Sequence, residues 1–166
     1  MTSRAIRISE ARSGLAVTAV LLDGKAPGNA EFLWRYLATP RRVPAIHAMW
    51  TGPEISCPIP SAHLDAATRS KALPPENATV TPQPGDLVLS HVPARMWGGN
   101  PDPIFDIGLF YGAGARLLFP SGWLAGSVFA EIRPEERQGL ADACNAIRRR
   151  GACEIGFARA DEGGRP

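Results

Sequence analysis

The stretch "FYGAGARLLFPSGWLAG", Phe110 to Gly126, decides the fold. Gly112-Ala113-Gly114 has the outline of a phosphate-cradling loop. A dinucleotide loop needs a third glycine at a fixed offset and a helix that opens at once, so that free N–H groups and the helix dipole meet the phosphate. Here Leu117 stands at the third position, Pro120 follows within a few residues, and no Walker lysine is present. The glycines therefore read as turn residues of a β-structure, supplying positive φ.

The flanks agree. Upstream, "IFDIGLFYG" alternates, with Phe105, Ile107, Leu109 and Tyr111 on one face and Asp106, Gly108 and Phe110 on the other. Downstream, "SVFAEI" is a further strand. "RAIRISEARSGLAVTAVLLDG" forms two strands and a turn, and the second has apolar residues on both faces, as in a strand covered on two sides. "VPAIHAMW", "EISCPI", "GDLVLSHV" and "ACEIGFA" complete a set of about eight short strands.

Two helices stand out. In "APGNAEFLWRYLATP", Phe32 and Tyr36, like Leu33 and Leu37, are four apart, and Pro40 stops the helix. In "PEERQGLADACNAIRRRG", Pro134 suits a first turn, Glu135 and Glu136 complement the positive end, Arg148 to Arg150 the negative end, and Gly151 the stop. Leu140, Cys144 and Ile147 form its apolar stripe. Residues 58–84 are rich in proline, with room for a short helix around Leu64–Leu73. Strand–helix alternation is absent through the middle, so a closed β-barrel capped by two helices fits better than a doubly wound parallel sheet. One domain is expected over residues 1–160, with residues 161–166 a disordered tail.

Composition narrows the function. With 45% hydrophobic and 20% charged residues over 166 positions, the chain is an ordinary globular domain. A formal net charge of +2 gives no nucleic-acid footprint. No apolar run approaches the ~20 residues that span a bilayer, and the first residues lack an apolar signal core. Cys57, Cys144 and Cys153 are an odd set without a CxxC, so neither a disulfide framework nor a zinc site is expected, and the cytoplasm is the default compartment. Arginine far outnumbers lysine (only Lys25 and Lys71), which with the abundant Ala, Gly and Pro suggests a GC-rich bacterial source.

Chemistry-bearing motifs are sparse. His47, His63 and His91 have no metal-ligand spacing, and His47 inside "AIHAMW" reads as a satisfied core residue. No GxSxG elbow occurs. Nothing in the sequence lowers the pKa of Cys57. Neither metal nor cofactor is expected. Asp106 is a carboxylate in an otherwise apolar strand beside a glycine: either an acid at a solvated sheet edge or part of a site. Trp97 and Trp123 lie in loops, where a large ring either plugs a barrel end or lines a pocket.

The order of elements resembles that of cyclophilins: hairpin, helix, barrel strands, helix, closing strand. "WLAGSVFAEI", Trp123 to Ile132, is similar to the cyclophilin segment Trp-Leu-Asp-Gly and its following strand; "GDLVLS" and "IFDI" resemble two further strands. More closely, the chain resembles an uncharacterised bacterial family of cyclophilin-like proteins, through "PENATVTPQPGD" at Pro75–Asp86, "LFYG" at Leu109–Gly112 and "LAGSVF" at Leu124–Phe129.

The resemblance implies a cyclophilin-like barrel, but the isomerase residues are mostly replaced. Ala48 falls where the family's amide-polarising arginine belongs, Asp106 where the groove phenylalanine belongs, Ser56 near its glutamine and Val128 near its histidine. Only the tryptophan, Trp123, is retained. Without the arginine the twisted prolyl amide loses its main electrostatic stabiliser, so efficient isomerisation is not expected. The expected site is a groove of Trp50, Asp106, Phe110 and Trp123, with His91 and Glu54 at its rim, taking a small polar ligand or a peptide. Two alternatives stay open: weak prolyl isomerisation, and an interaction subunit of an amide-hydrolysing complex, as cyclophilin-like folds provide in oxoprolinase and allophanate hydrolase. A homo-oligomer or hetero-complex is compatible with either.

Overall fold

The computed structural model describes residues 3–160; the expected tail at 161–166 lies outside the described residues. Eleven strands are present: β1 (Ala5–Glu10), β2 (Leu15–Leu21), β3 (Arg41–His47), β4 (Glu54–Pro58), β5 (Ala78–Thr79), β6 (Asp86–Val92), β7 (Ile104–Phe110), β8 (Leu118–Phe119), β9 (Gly122–Trp123), β10 (Gly126–Ile132) and β11 (Cys153–Arg159). The helices are α1 (Pro27–Tyr36), the five-residue α2 (Ala66–Ser70) and α3 (Arg137–Arg150). The sheet runs β2-β1-β11-β3-β4-β7-β6-β10, and β2 also pairs with β10, so eight antiparallel strands close into a barrel. This is the mainly β closed barrel expected, with a third, short helix where the proline-rich segment left room for one.

Closure leaves each barrel strand with an inner and an outer face. The inner face takes Ile6, Ile8, Leu15, Val17, Ala19, Leu21, Val43, Ile55, Cys57, Leu87, Leu89, Phe105, Ile107, Leu109, Phe129, Ile155 and Phe157, all buried. α1 and α3 add Leu33, Leu37, Leu140, Cys144 and Ile147 to the same core. The second face of β2 is less covered than the sequence suggests: Thr18 and Val20 are half-buried and Ala16 is exposed. The last helix also starts later than expected. Pro134–Glu136 is a 3₁₀ turn, and the Glu136 carboxylate accepts the Thr18 N–H at 2.7 Å.

The "PENAT" motif proves architectural. No side chain of the preceding residues caps α1; instead Glu76 accepts from the N–H groups of Gly28 (3.1 Å) and Asn29 (2.9 Å), stabilising the helix's positive end. Asn77, at φ 46°, donates its side-chain amide to the Val128 carbonyl at 2.9 Å and so fastens this segment to β10.

The opening stretch forms a flap over the outer face. After Gly114, at φ +84°, the chain folds back so that Ala115 and Leu117 bury against Val88, Phe110 and Val128 in a second, smaller core outside the barrel. Arg116 N–H donates to the Thr51 carbonyl (3.0 Å) and Leu117 N–H to that of Val80 (2.8 Å). The β8–β9 hairpin follows. No helix opens after Gly114, so the stretch is a turn and a cover, not a phosphate loop.

Candidate functional site

Beside the flap, the outer face of β4, β7 and β6 stays partly uncovered. Strand parity puts Glu54, Ser56 and Pro58 on this face of β4, Asp106 and Gly108 on β7, and Ser90 and Val92 on β6. The register sets Ser56 opposite Gly108, Pro58 opposite Asp106 and Ser90 opposite Asp106. Glu54, Ser56, Pro58, Ser90, Val92 and Asp106 floor a cavity of ≈ 250 Å³. Ile46, Ala48 and Met49 form one wall, and Trp50, Trp97 and Phe119 another. The Trp50 and Trp97 rings lie 5.6 Å apart, and Trp97 meets Phe119 edge-on at 5.5 Å. Trp97 reaches the site from the 93–103 loop, a tight turn in which Asn100 N–H donates to the Trp97 carbonyl (2.9 Å).

Two carboxyl groups lie in this mainly apolar surround. Glu54 is only 4% exposed. Its Oε2 accepts a hydrogen bond from the Thr51 hydroxyl, itself buried; its Oε1 makes no hydrogen bond among the described residues and keeps some accessible surface. The space for this carboxyl exists because residue 108 is glycine: a Cβ there would sit 2.3 Å from Glu54 Oε1 and 2.8 Å from Phe110 Cε2. Asp106 keeps some surface open to the cavity and is enclosed on its other sides. The Ser56 hydroxyl donates to both of its oxygens at 2.9 Å.

The two environments separate the acids. Burial, with the neighbouring Asp106 charge second and partly offset by Thr51, pushes Glu54 up to about 8. Burial also raises Asp106, but only to about 6, because Ser56 and the Cys57 backbone hydrogen-bond its charged form. At neutral pH the pair holds about one negative charge, centred on Asp106, and one proton, centred on Glu54.

His47 borders the cavity without offering it a free nitrogen. Its Nδ1 lies 2.9 Å from the Ala48 carbonyl, which can only accept, so Nδ1 carries the proton; Nε2, 2.8 Å from the Tyr111 hydroxyl, is left to accept. Burial lowers its pKa, which keeps the ring neutral.

Of the six residues expected to form the site, the structure brings Trp50, Glu54 and Asp106 together around this cavity. Phe110 shares their face of the sheet but is fully buried under the flap. Trp123 sits on the β8–β9 hairpin, 59% exposed and outside the cavity lining; its hairpin neighbour Phe119 reaches in instead. His91 is opposite Phe105, not Asp106, so it lies on the other side of β6, its ring 4.8 Å from that of Phe105. Trp97, a loop ring that in the sequence reads as either a barrel plug or a pocket wall, lines the cavity, as do Phe119, Ser90 and Thr51, which the sequence does not single out. Their only sequence signals are the aromatic in a Gly-rich loop and the serine parity of "LVLSHV". Two larger hollows, each of ≈ 520 Å³, lie beside His91 and between α1 and the 63–73 segment. Neither contains a deeply buried acid.

The remaining nucleophile candidates are quiescent. Cys57 points into the barrel, where burial pushes its thiol well up. Among the described residues, no group of three His, Cys, Asp or Glu side chains is placed to hold a metal ion. No helix among them is long and apolar enough to cross a membrane.

Fold and cavity together define a closed antiparallel β-barrel with an acid-floored, aromatic-walled pocket on its outer face. The chain belongs to the family described as "Protein of unknown function (DUF3830)", which it matches over residues 8–159. Among solved structures it is similar to McbB, solved in complex with tryptophan, with a TM-score of 0.65 and 21% identity; the match covers 97% of this chain and 46% of McbB, so the chain spans about half of that protein's length. At this identity the likeness is one of fold. A cyclophilin-type peptidyl-prolyl cis-trans isomerase from Cryptosporidium parvum also matches, with a TM-score of 0.45, 11% identity, and 98% and 100% of the two chains covered. No curated protein matches the chain.

Proposed function

We propose that the barrel binds a small, compact molecule in the cavity between Trp50 and Trp97, and that it is not an efficient prolyl isomerase. One observation carries this reading: the buried Glu54 carboxyl and the half-buried Asp106 carboxyl together floor a pocket whose walls are apolar and aromatic. Small-molecule sites are mostly apolar concavities with a few convergent polar groups, and a volume of ≈ 250 Å³ suits a ligand of about amino-acid size. Among the described residues no lysine or arginine lines the cavity, so its polar floor favours uncharged or cationic heads over anions. McbB, whose barrel is similar, is known with the aromatic amino acid tryptophan bound. That supports an aromatic body for the ligand here.

The same lining argues against isomerisation. Ala48 is part of the wall, and among the described residues no guanidinium lines the cavity to polarise a prolyl carbonyl. The three free cysteines suit a reducing, cytoplasmic compartment. To test the binding reading, aromatic amines, amides, ketones and carboxylates are screened by thermal shift against wild type and Asp106→Asn. Uncharged or cationic aromatics should stabilise wild type and lose most of that effect in the variant. Equal stabilisation of both proteins would remove Asp106 from the site.

A second reading, an interaction subunit of an amide-hydrolysing complex, draws on the exposed apolar side chains Ile46, Met49, Met96, Leu118 and Trp123. It predicts co-purification with a partner chain, whereas the small-ligand reading needs none.

A further inference from the structure

The cavity holds a proton donor and a proton acceptor side by side, which is more than binding requires. Thr51 donates to Oε2 of Glu54, which leaves Oε1 as the oxygen from which a protonated Glu54 can donate into the cavity. Oε1 is the oxygen without a partner, lodged over Gly108 in a residue that is more than nine-tenths buried. Asp106, two residues along β7 on the same face, is held as a carboxylate by the bifurcated Ser56 hydrogen bond and still has lone pairs to spare. An unused donor and an available base in a pocket walled by three aromatic rings form the arrangement that enolisation needs. The donor hydrogen-bonds a carbonyl oxygen, and the base takes a proton from the adjacent carbon.

We propose that Glu54 and Asp106 are a catalytic acid–base pair that interconverts the keto and enol forms of small, uncharged aryl ketones or aldehydes bound in this cavity. The Asp106 carboxylate takes the proton from the carbon next to the carbonyl. The C–H electron pair becomes the new C=C bond, and the carbonyl π pair moves to oxygen and takes the proton from Glu54 Oε1. The products are an enol, a neutral Asp106 and an ionised Glu54. Return of a proton from Asp106 to carbon and of the enol proton to Glu54 restores the pair. No oxidant, reductant or co-reactant is consumed. Trp50, Trp97 and Phe119 hold the aryl group, and with no lysine or arginine among the lining residues described, the cavity disfavours anionic substrates.

The proposal rests on the cavity being the ligand site. Its test is therefore built to fail separately from that reading. Phenylacetone and 4-phenylbutan-2-one are incubated with the full chain in D₂O, and loss of the α-proton signals is followed by NMR; saturation transfer from the protein reports binding of the same probes. We expect exchange at least about a hundredfold above buffer. It should rise with pH as Asp106 ionises, near about 6, and fall as Glu54 ionises, near about 8. Asp106→Asn should abolish exchange. Glu54→Gln should lower it about tenfold or more and remove the alkaline limb, which a merely structural Glu54 would not do. Probe binding without exchange overturns the catalytic proposal and leaves the binding reading intact. Neither binding nor exchange overturns both, and exchange that survives in Asp106→Asn overturns the assignment of the base. The wild-type pH profile decides the matter even if a variant folds poorly, because a flat profile contradicts the pair.

Discussion

The two faces of β4, β6 and β7 are built from the same strands and behave oppositely. Inside the barrel, Ile55, Cys57, Leu87, Leu89, Phe105, Ile107 and Leu109 are fully or nearly fully buried, and no carboxyl lies among them. Outside, one part is sealed by the flap over Val88 and Phe110, and the adjoining part carries Glu54, Ser56, Ser90, Asp106 and a glycine at 108. The interior stabilises the fold. The uncovered outer part holds a carboxyl at a desolvation cost that folding alone does not require. Such a cost, confined to one concave patch, is what separates a site from a surface.

Substitutions should divide along that line. The largest expected effect is Phe105→Ala, which empties a fully buried ring position and should lower stability by about 3–5 kcal/mol in a denaturant titration. Trp97→Ala, on the cavity wall, should cost about 1 kcal/mol or less and abolish ligand-induced thermal shifts. A reversal of these two outcomes would erase the distinction between the faces.

Gly108→Ala comes next. Its Cβ would collide with Glu54 Oε1 and the Phe110 ring, so we expect about 1–3 kcal/mol of destabilisation, with the Glu54 carboxyl expelled from its niche. Unaltered stability would mean that the niche is wider than the contacts imply.

The carboxyl pair also gives stability a pH dependence. Both folded-state pKa values are raised, so the folded protein holds these protons more tightly than the unfolded chain. The associated stability is fully present below the unfolded values, near pH 4, and is lost as pH rises through about 6 and about 8. The melting temperature should therefore fall between pH 5 and pH 9 more steeply in wild type than in Glu54→Gln. Parallel curves would show that Glu54 is not a buried, protonated acid. The smallest effect is expected at Trp123: Trp123→Ala should change stability by no more than about 0.5 kcal/mol and leave binding unchanged, because the ring is mostly exposed.

Much of the barrel is legible because strand parity is local. The alternation in "IFDIGLFYG" separates Phe105, Ile107 and Leu109 from Asp106 and Gly108, and the structure keeps that separation. Asp106 draws attention as a lone acid in that run, and Glu54 as an acid at the start of "EISCPI". What fails to appear depends on pairing across the chain. Parity within "LVLSHV" puts Ser90 and His91 on opposite faces, but that Ser90 stands directly opposite Asp106 is fixed by the β6–β7 register, which no local pattern contains. Phe110 shares a face with Asp106, as its parity says, yet the flap closes over it through contacts with Ala115 and Leu117. Trp123 draws weight from its resemblance to a groove residue, while the β8–β9 turn presents Phe119 to the cavity. Trp97 arrives from a loop whose path only the folded chain defines.

The four tryptophans make the most direct test of where ligand binds. Trp50 and Trp97 wall the cavity; Trp34 lies under Arg4 and Arg159, and Trp123 stands on the outer hairpin. In ¹⁵N-labelled protein, a ligand that passes the thermal-shift screen should move the indole N–H signals of Trp50 and Trp97 and leave those of Trp34 and Trp123 in place. Movement of Trp123 with Trp50 and Trp97 unmoved would contradict the account and return the site to the hairpin.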